Sequence, residues 1–273
     1  MPFLVLFAAR TLSLGEVALL GFAYKFAKDF VIYVFWPLVG LVQPVLARVK
    51  ARESEAAMAD AYRSLVRIVW LVVLPSGVGL CLVTPRLLSA LYPKYAEGAG
   101  LAVLFVAFVF ADVLLHVATL AMMTAERYRA ILLSRLLGLL SVPAILLLMP
   151  RYGMVGAAVA VGVVRLLPPL VTTAYVSLRM GLALPLRFGA RLVLACVAFA
   201  VPLAFALGTG PGPSADPTLG SRLSSLLLLA GVALLGAALF FVALKATGGL
   251  EADDRRRLLE LNLPAKKWLA RVL

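Results

Sequence analysis

Six ionisable side chains lie inside long apolar stretches of the sequence, where a charge is costly. They are Lys25, Lys28, Asp29, Asp112, His116 and Arg165. If these stretches cross a membrane, burying each charge costs on the order of 2.5–3.5 kcal/mol unless a partner or water compensates it. We therefore expect the six residues to line a polar cavity between helices, which would accept a charged ligand or protons.

The spacing of these residues predicts two local pairs. Lys25 and Asp29 are four residues apart on one helical face, so an ion pair between them would leave Lys28 as a net positive charge. Asp112 and His116 have the same spacing, and an imidazole beside a carboxylate is suited to proton coupling. Arg165 lies twelve residues into its apolar stretch, too deep for its side chain to reach either surface easily.

A structural explanation competes with the cavity. In that explanation the six residues neutralise one another as ion pairs, and the two lysines extend their side chains outward to the membrane surface. Two proline sites, Trp36-Pro37 and Pro168-Pro169, also interrupt predicted helices. Such sites act either as hinges or as plain packing features, and the sequence does not choose between these roles.

The sequence offers little for other chemistry. Its 2 cysteines, Cys81 and Cys196, lie in separate apolar runs, which argues against a disulfide framework and a cysteine metal site. With 1 histidine, a histidine metal cluster is excluded as well. Phosphate-binding loops, serine-hydrolase elbows and zinc-protease motifs do not occur. We expect neither enzyme activity nor a cofactor or metal.

The elements that carry these residues are predicted to be membrane-spanning helices. Of 273 residues, 63% are hydrophobic and 14% are charged, which is more apolar surface than one soluble core can hide. Apolar runs of roughly 20 residues recur, the length that a helix needs to cross about 30 Å of hydrocarbon. We predict an all-α, polytopic membrane bundle of about seven helices, at residues 17–46, 65–91, 99–124, 131–149, 153–176, 190–208 and 223–245.

The distribution of basic residues predicts the orientation of the bundle. One alternate set of loops, with the C-terminal tail, holds eighteen of the 26 lysines and arginines, and the other set holds five. Because basic loops stay on the cytoplasmic side, the C-terminus is expected inside and the N-terminus outside, which requires an odd number of crossings. The net charge of +13 is therefore a membrane signature rather than a sign of nucleic-acid binding. We expect no cleavable signal peptide.

Three regions are expected along the chain. Residues 1–16 form a short apolar segment, 17–246 the helix bundle, and 247–273 a basic amphipathic tail that lies on anionic lipid headgroups. The link from Arg48 to Arg67 is expected to be a short cytoplasmic helix. On the outer side, Pro150 to Gly153 should form a tight turn and Thr209 to Gly220 a flexible loop.

Several short motifs between residues 15 and 165 resemble, in order and spacing, the C-terminal half of a known family. They are Gly21-Phe22-Ala23-Tyr24-Lys25, Pro44-Val45-Leu46-Ala47-Arg48, Thr84-Pro85-Arg86-Leu87-Leu88 running into Leu91-Tyr92-Pro93-Lys94-Tyr95-Ala96-Glu97-Gly98-Ala99, and Pro150-Arg151-Tyr152-Gly153-Met154-Val155-Gly156-Ala157-Ala158. The family is that of bacterial polysaccharide flippases, in the multidrug/oligosaccharidyl-lipid/polysaccharide exporter superfamily. The last hundred residues match it only in hydropathy.

The resemblance implies a transporter of two helix bundles that rock about a central cavity. Its cargo would be a lipid-linked, pyrophosphate-bearing oligosaccharide or polysaccharide precursor, moved from the inner to the outer leaflet of the bacterial cytoplasmic membrane. A cationic cavity suits such cargo, because arginine and lysine match phosphate oxygens well. The resemblance covers only the second bundle, so a missing N-terminal half, a partner chain or a homodimer is expected. Residues 2–9 would then be the end of the helix that opens this bundle.

Other functions fit the same pattern of apolar helices. A drug/cation antiporter of the same superfamily would favour acidic cavity residues over Lys28 and Arg165. A membrane glycosyltransferase or polymerase would need catalytic groups on a sizeable external loop, whereas the loop from Thr209 to Gly220 offers only Asp216. An inactive half-transporter or a membrane scaffold is a further alternative.

Overall fold

The computed structural model describes residues 12–52, 54–209 and 219–246, and these residues are helical almost throughout. The α-helices are α1 (Leu14–Arg52), α2 (Glu55–Leu91), α3 (Ala99–Thr124), α4 (Tyr128–Leu136), α5 (Ser141–Arg179), α6 (Leu186–Thr209) and α7 (Leu219–Ala246), and 3-10 turns occupy Pro93–Gly98 and Leu137–Leu140. No strand occurs in the described ranges. The predicted all-α class is confirmed, while most of the proposed segments 1–16 and 247–273 lies outside the described residues.

Several helical stretches are long and apolar enough to cross a membrane. Within the described part of the chain they are Glu55–Leu91, Pro93–Thr124, Tyr128–Arg179, Leu186–Gly208 and Leu223–Ala246. A sixth is α1, if its two parts, which meet at an angle of 46° between Tyr33 and Phe35, form one span. The architecture is thus that of a multi-pass membrane bundle with five or six long apolar helices.

The bend in α1 has a local cause in the sequence. Pro37 lies inside this helix and has no N–H to donate to the carbonyl of Tyr33, one turn earlier, where the bend occurs. The prediction of a proline interruption is therefore confirmed at this site. Pro168 and Pro169 behave differently, because the backbone of α5 keeps helical angles through them.

The chain reverses direction inside α5. Gly153 has φ 55° and ψ −137°, a conformation that favours glycine, and it breaks the helical geometry. A Cβ on Gly156 would collide with the carbonyl of Leu148, although residues eight apart in a straight helix are separated by about 12 Å. The predicted tight turn at 150–153 is confirmed, and it folds the two parts of α5 against each other.

Helix α3 lies at the centre of the bundle and contacts α1, α2 and α5. Its buried face includes small side chains such as Ala102, Ala118 and Ala121, which are no more than 1% exposed. Small residues let neighbouring helix backbones approach closely, which is how helices associate when hydrocarbon surrounds them. One continuous apolar core joins these four helices.

Ring contacts show that α1 and α3 run in the same direction. The Tyr24 ring packs edge-on against Phe105, with 5.5 Å between the ring centroids. Further along both helices, the Phe35 ring packs against His116, again at 5.5 Å. The charged residues of α1 therefore lie beside the first half of α3.

The second part of α5 also runs parallel to α3. Gly162 lies so close to Phe108 that it has no room for a side chain, and Thr172 Oγ1 is 3.2 Å from Thr119 Oγ1. Since the sequence numbers increase together along both helices, the chain between Thr124 and the turn at 153 must return along the whole length of α3. Helix α4 and the first part of α5 make this return.

Helix α2 runs antiparallel to α3 and supports a second, smaller core. The Trp70 Nε1–H donates to the carbonyl of Leu114 at 2.8 Å, and the Cys81 thiol lies 3.8 Å from the carbonyl of Val103. On its other side α2 packs against α6 and α7, which form an apolar cluster of their own. The Phe199 and Phe240 rings join these two helices, with centroids 5.8 Å apart.

The predicted short helix between Arg48 and Arg67 is helical in the structure but is not a separate element. Instead α1 continues to Arg52 and α2 begins at Glu55, so the two long helices extend almost to each other. Ser54 caps α2 by accepting the N–H of Ala57, and the acidic Glu55 in the first turn favours a helix start there. A capping serine thus breaks a charged stretch that contains no glycine or proline.

Several basic segments meet at one end of the bundle. The Lys50 ammonium donates to the carbonyl of Thr124 at 2.7 Å and lies 3.4 Å from Glu126, which joins the end of α1 to the end of α3. The Arg67 guanidinium lies over the Phe188 ring, which joins α2 to the start of α6. We call this the basic end, where α1, α3 and α5 finish.

Candidate functional site

A buried ion pair joins α3 to α5 in the middle of the bundle. The Arg165 Nε donates to Asp112 Oδ2 at 2.7 Å, and Asp112 is 9% exposed. A second guanidinium nitrogen, Nη1, donates to the Tyr24 hydroxyl at 3.0 Å. Arg165 therefore ties three helices together through two of its nitrogens.

Close helix packing positions this pair. Gly162 lies one turn before Arg165 and touches Phe108, which lies one turn before Asp112. The contact brings the α3 and α5 backbones near enough for the Arg165 side chain to span them. Tyr24 is held in turn by its ring contact with Phe105 of α3.

Charge and hydrogen bonding are largely balanced at this cluster. The side chain of Asp112 is 12% exposed and that of Arg165 is 30% exposed, so the guanidinium is not fully enclosed. Among the described residues, Arg165 has no hydrogen-bond partner other than Asp112 and Tyr24. Removing either member of a buried ion pair leaves an uncompensated charge and typically costs about 3–5 kcal/mol. The pair thus stabilises the bundle and still presents guanidinium surface to its surroundings.

His116 does not form the predicted pair with Asp112. Its ring packs against Phe35 instead, and no hydrogen bond joins it to Asp112 in the part of the chain that the structure describes. The reason is competition, because Arg165 holds the carboxylate from the neighbouring helix. His116 stays near enough to Asp112, Arg135 and Arg165 to interact with all three electrostatically.

Two residues of this cluster were not predicted as site residues. Tyr24 was noted only as part of a motif, although its hydroxyl accepts from Arg165. Arg135 was counted among the loop cations, whereas it lies within α4 and interacts electrostatically with His116. Its position inside the predicted span 131–149 was the signal that would have identified it as an intramembrane charge.

The other charged group lies on α1 and is exposed. Lys25 Nζ is 2.7 Å from Asp29 Oδ2, so the predicted local ion pair is confirmed. The two side chains are 75% and 44% exposed, and Lys28 is exposed without a described partner. The six predicted residues therefore form separate groups, one buried between helices and one on the outer face of α1.

The exposed face of α1 continues toward the basic end as a groove. Beyond the charged residues it carries Tyr33, which is 80% exposed, and Trp36, which is 71% exposed. A groove of about 510 Å³ follows the proline bend. Its lining consists of Trp36, Pro37, Val39, Gly40, Gln43, Pro44 and Ala47. Nothing in the described chain packs into this face of the helix at Gly40.

A larger crevice separates the two apolar cores. It has a volume of about 590 Å³ and is lined by Phe30 of α1 and by residues of α2, α3, α6 and α7, including Pro75, Phe110, Phe199 and Phe240. Ser76 is the one polar side chain among its described lining residues, and none of the six predicted charged residues lines it. This crevice is consequently unsuited to bind a charged group.

Metal binding finds no support among the described residues, which contain no group of three or more histidine, cysteine or acidic side chains able to hold an ion.

Comparisons with known proteins do not identify a family for the chain. No protein family matches the chain. No curated protein matches its sequence either. The resemblance to polysaccharide flippases therefore rests on the sequence motifs alone.

Proposed function

We propose that this chain forms one bundle of a transporter that moves lipid-linked oligosaccharide or polysaccharide precursor across a bacterial cytoplasmic membrane. The observation that carries the proposal is the exposed charged face of α1. Lys25, Lys28 and Asp29 lie eleven or more residues from the start of this helix, and Lys25 is 75% exposed. Exposure to lipid would cost several kcal/mol for such a group.

The charged face consequently needs water or a partner beside it. A second bundle facing α1 would enclose an aqueous cavity there, and transporters commonly bind substrate between two such halves. With Asp29 neutralising Lys25, the remaining charge of Lys28 makes the face cationic. Phosphate groups of a lipid-linked sugar are suitable ligands for this surface.

The directions of the helices support a count of seven crossings. Helices α1 and α3 are parallel to each other and to the second part of α5, while α2 and the return from Thr124 to the turn at 153 run the other way. The contacts Arg67–Phe188 and Arg86–Leu207 make α6 parallel to α2. The contacts Phe199–Phe240 and Leu203–Gly236 make α7 antiparallel to α6. Seven alternating crossings would leave the termini on opposite sides.

The orientation in the membrane rests on charge. Among the described residues, most of the lysines and arginines that flank the spans lie at the basic end, so we assign it to the cytoplasm. The N-terminus is then outside and the C-terminus inside. Cargo would be received from the cytoplasmic leaflet and released in the outer leaflet.

Among the alternatives, a drug/cation antiporter has one observation in its favour. Asp112 is a buried carboxylate near His116, and acidic groups bind cations or protons. However, Arg165 neutralises Asp112, and Asp29 is neutralised by Lys25. The balance of charge in the described spans therefore favours an anionic cargo.

Reconstitution in liposomes tests the transport function. We expect no leaflet exchange of a fluorescent lipid-linked oligosaccharide by a species shown to be monomeric, because one bundle cannot provide alternating access. Exchange is expected when a second bundle, from a partner chain or a second copy, closes the cavity. In that complex Lys28→Gln should slow the exchange, while Arg151→Gln, a matched charge loss at the turn beside Gly153 and away from the α1 face, should not. Exchange by the monomer, or equal effects of both changes, would contradict the proposal.

A further inference from the structure

An apolar cavity lies between α3, α4 and α5 near the basic end. Its volume is about 370 Å³. Ala130 and Leu133 line it from α4, Leu137 from the 3-10 turn that follows, and Val171 and Tyr175 from α5. Ser134 and Thr172 also line it, but their hydroxyls donate to the carbonyls of Ile131 and Pro169. Neither the charged cluster at Arg165 nor the exposed face of α1 contributes to it, so it is separate from the proposed transport site.

The cavity opens sideways, toward the surface that would face lipid. Leu133 and Val171 at its edge are 66% and 44% exposed. An apolar cavity of this kind does not hold water well, and leaving it empty forfeits dispersion contacts along its walls. Hydrocarbon is the material that a bilayer supplies to fill it. From Arg127 to Leu137 the chain advances about 15 Å, which is close to the hydrocarbon depth of one leaflet.

Three arginines lie at the side of the cavity that is nearer to the basic end and so to the membrane surface. Arg129 lies one helical turn before Leu133, and Arg179 lies one turn after Tyr175, so each shares a helix face with a lining residue. Arg127 is the N-cap residue of α4, three residues before Ala130. All three are exposed, and none has an ion-pair partner within the described ranges.

The nearby acidic residue does not neutralise this rim. Glu126 directly precedes Arg127, but its carboxylate lies 3.4 Å from the Lys50 ammonium. The rim therefore presents a net positive charge directly above an apolar cavity, an arrangement complementary to a molecule with an anionic head and a hydrocarbon tail.

We propose that this cavity and its three arginines bind one anionic phospholipid in the leaflet at the basic end. An acyl chain fills the cavity, and the phosphate accepts hydrogen bonds from the arginines. Because a hydrocarbon chain gains little on moving from lipid into an apolar cavity, preference among lipids comes from the arginines rather than from the chain. The site does not depend on the proposed cargo. A test of lipid binding is therefore separate from a test of the transport function.

Photo-crosslinking of the full chain in nanodiscs tests the site. The probe is phosphatidylglycerol with a photoreactive group on one acyl chain, at trace level in phosphatidylcholine. We expect adducts on cavity residues of α4 and α5, reduced by excess unlabelled phosphatidylglycerol. Equal competition by phosphatidylcholine would show that the cavity does not select anionic lipid. Competition by inorganic phosphate would show that the arginines bind free anions. Either result would overturn the proposal.

Variants separate this site from the general attraction of basic loops to anionic lipid. The double change Arg127→Gln and Arg129→Gln should lower capture about fivefold per arginine removed. The control, Arg48→Gln with Arg187→Gln, removes the same charge at the same end but away from the cavity and should have little effect. In a second variant, Ala130→Leu, the larger side chain fills the cavity, so the lipid adducts should shift to residues outside it. Equal losses in both charge variants, or unchanged adducts in Ala130→Leu, would refute the site.

Discussion

Arg165 shows how a charge can be placed inside a bundle at acceptable cost. Its Nε and Nη1 each donate one hydrogen bond, to Asp112 and to Tyr24, and these acceptors come from two other helices. The fork geometry of the guanidinium makes both contacts possible at once, which a lysine ammonium on a flexible stem does less well. The residue is therefore a structural tie as well as a candidate cavity residue.

We expect Arg165→Leu to destabilise the bundle by about 3–5 kcal/mol, because it leaves Asp112 buried and unpaired. Arg165→Lys should cost less, since it keeps the charge but cannot serve both acceptors as well. Unfolding of the purified protein in detergent measures both effects. Arg151→Leu is the control, because Arg151 is exposed at the turn beside Gly153. A loss for Arg165→Leu no larger than that of the control would show that the pair contributes nothing to stability.

The double change Arg165→Leu with Asp112→Leu separates the pair from its members. Replacing both partners removes the unpaired charge, so most of the stability lost in Arg165→Leu should return. The same unfolding measurement gives the coupling between the two positions. Additive losses would mean that Arg165 and Asp112 act independently, contrary to the 2.7 Å contact.

At this scale, spacing along one helix predicted one ion pair correctly and another wrongly. The Lys25–Asp29 pair follows from spacing on one helix and is confirmed. The pairing of Asp112 with His116 had the same support and is wrong, because Arg165, fifty-three residues away, takes the carboxylate. Spacing within a helix carries no information about which neighbouring helix brings a stronger partner.

Among the helices, α5 depends most on glycine. Gly153 provides the left-handed turn, and Gly156 lets the returning chain pass against the carbonyl of Leu148. The break was predictable from the glycine and proline in 150–153. The close approach at Gly156 was not predictable, since it depends on how the two parts of α5 pack after the turn.

The break at Ser54 was missed because a serine cap is a weaker sequence signal than glycine or proline.

We expect Gly156→Ala to destabilise the bundle by about 1–3 kcal/mol, because the added methyl group must displace backbone at Leu148. Thermal unfolding in detergent measures the effect. Gly79→Ala is the matched control, since a Cβ at Gly79 meets nothing within 4 Å and alanine favours a helix. Equal stability of the two variants would contradict the close packing of the turn.

For the whole molecule, helix directions and basic charge are separate observations that bear on the proposed topology. Contacts between helices give alternating directions, and in the described ranges most of the lysines and arginines that flank the spans lie where α1, α3 and α5 finish. Apolar runs predicted most spans well, because hydrocarbon thickness sets their length. The sequence did not reveal that α6 and α7 form a separate core, since runs of leucine and alanine do not specify a neighbour.

Single cysteines in intact cells test the orientation. In a variant lacking Cys81 and Cys196, cysteines at Lys94 and Asp216 should react with an impermeant thiol reagent added outside, whereas one at Asp60 should not. The expected pattern follows from the assignment of the basic end to the cytoplasm. Labelling at Asp60 without disruption of the cells would reverse the orientation.

The central claim is that the charged face of α1 lies against water and not lipid, which the accessibility of Lys28 tests most directly. The measurement is the rate at which a water-soluble thiol reagent modifies Lys28→Cys in native membranes, compared with Val197→Cys in the same cysteine-free background. Val197 is 53% exposed on the apolar helix α6 and should face lipid, where thiols react poorly. We predict rapid modification at position 28 and slow modification at position 197. Equally slow modification at both positions would place the α1 face in hydrocarbon and contradict the account.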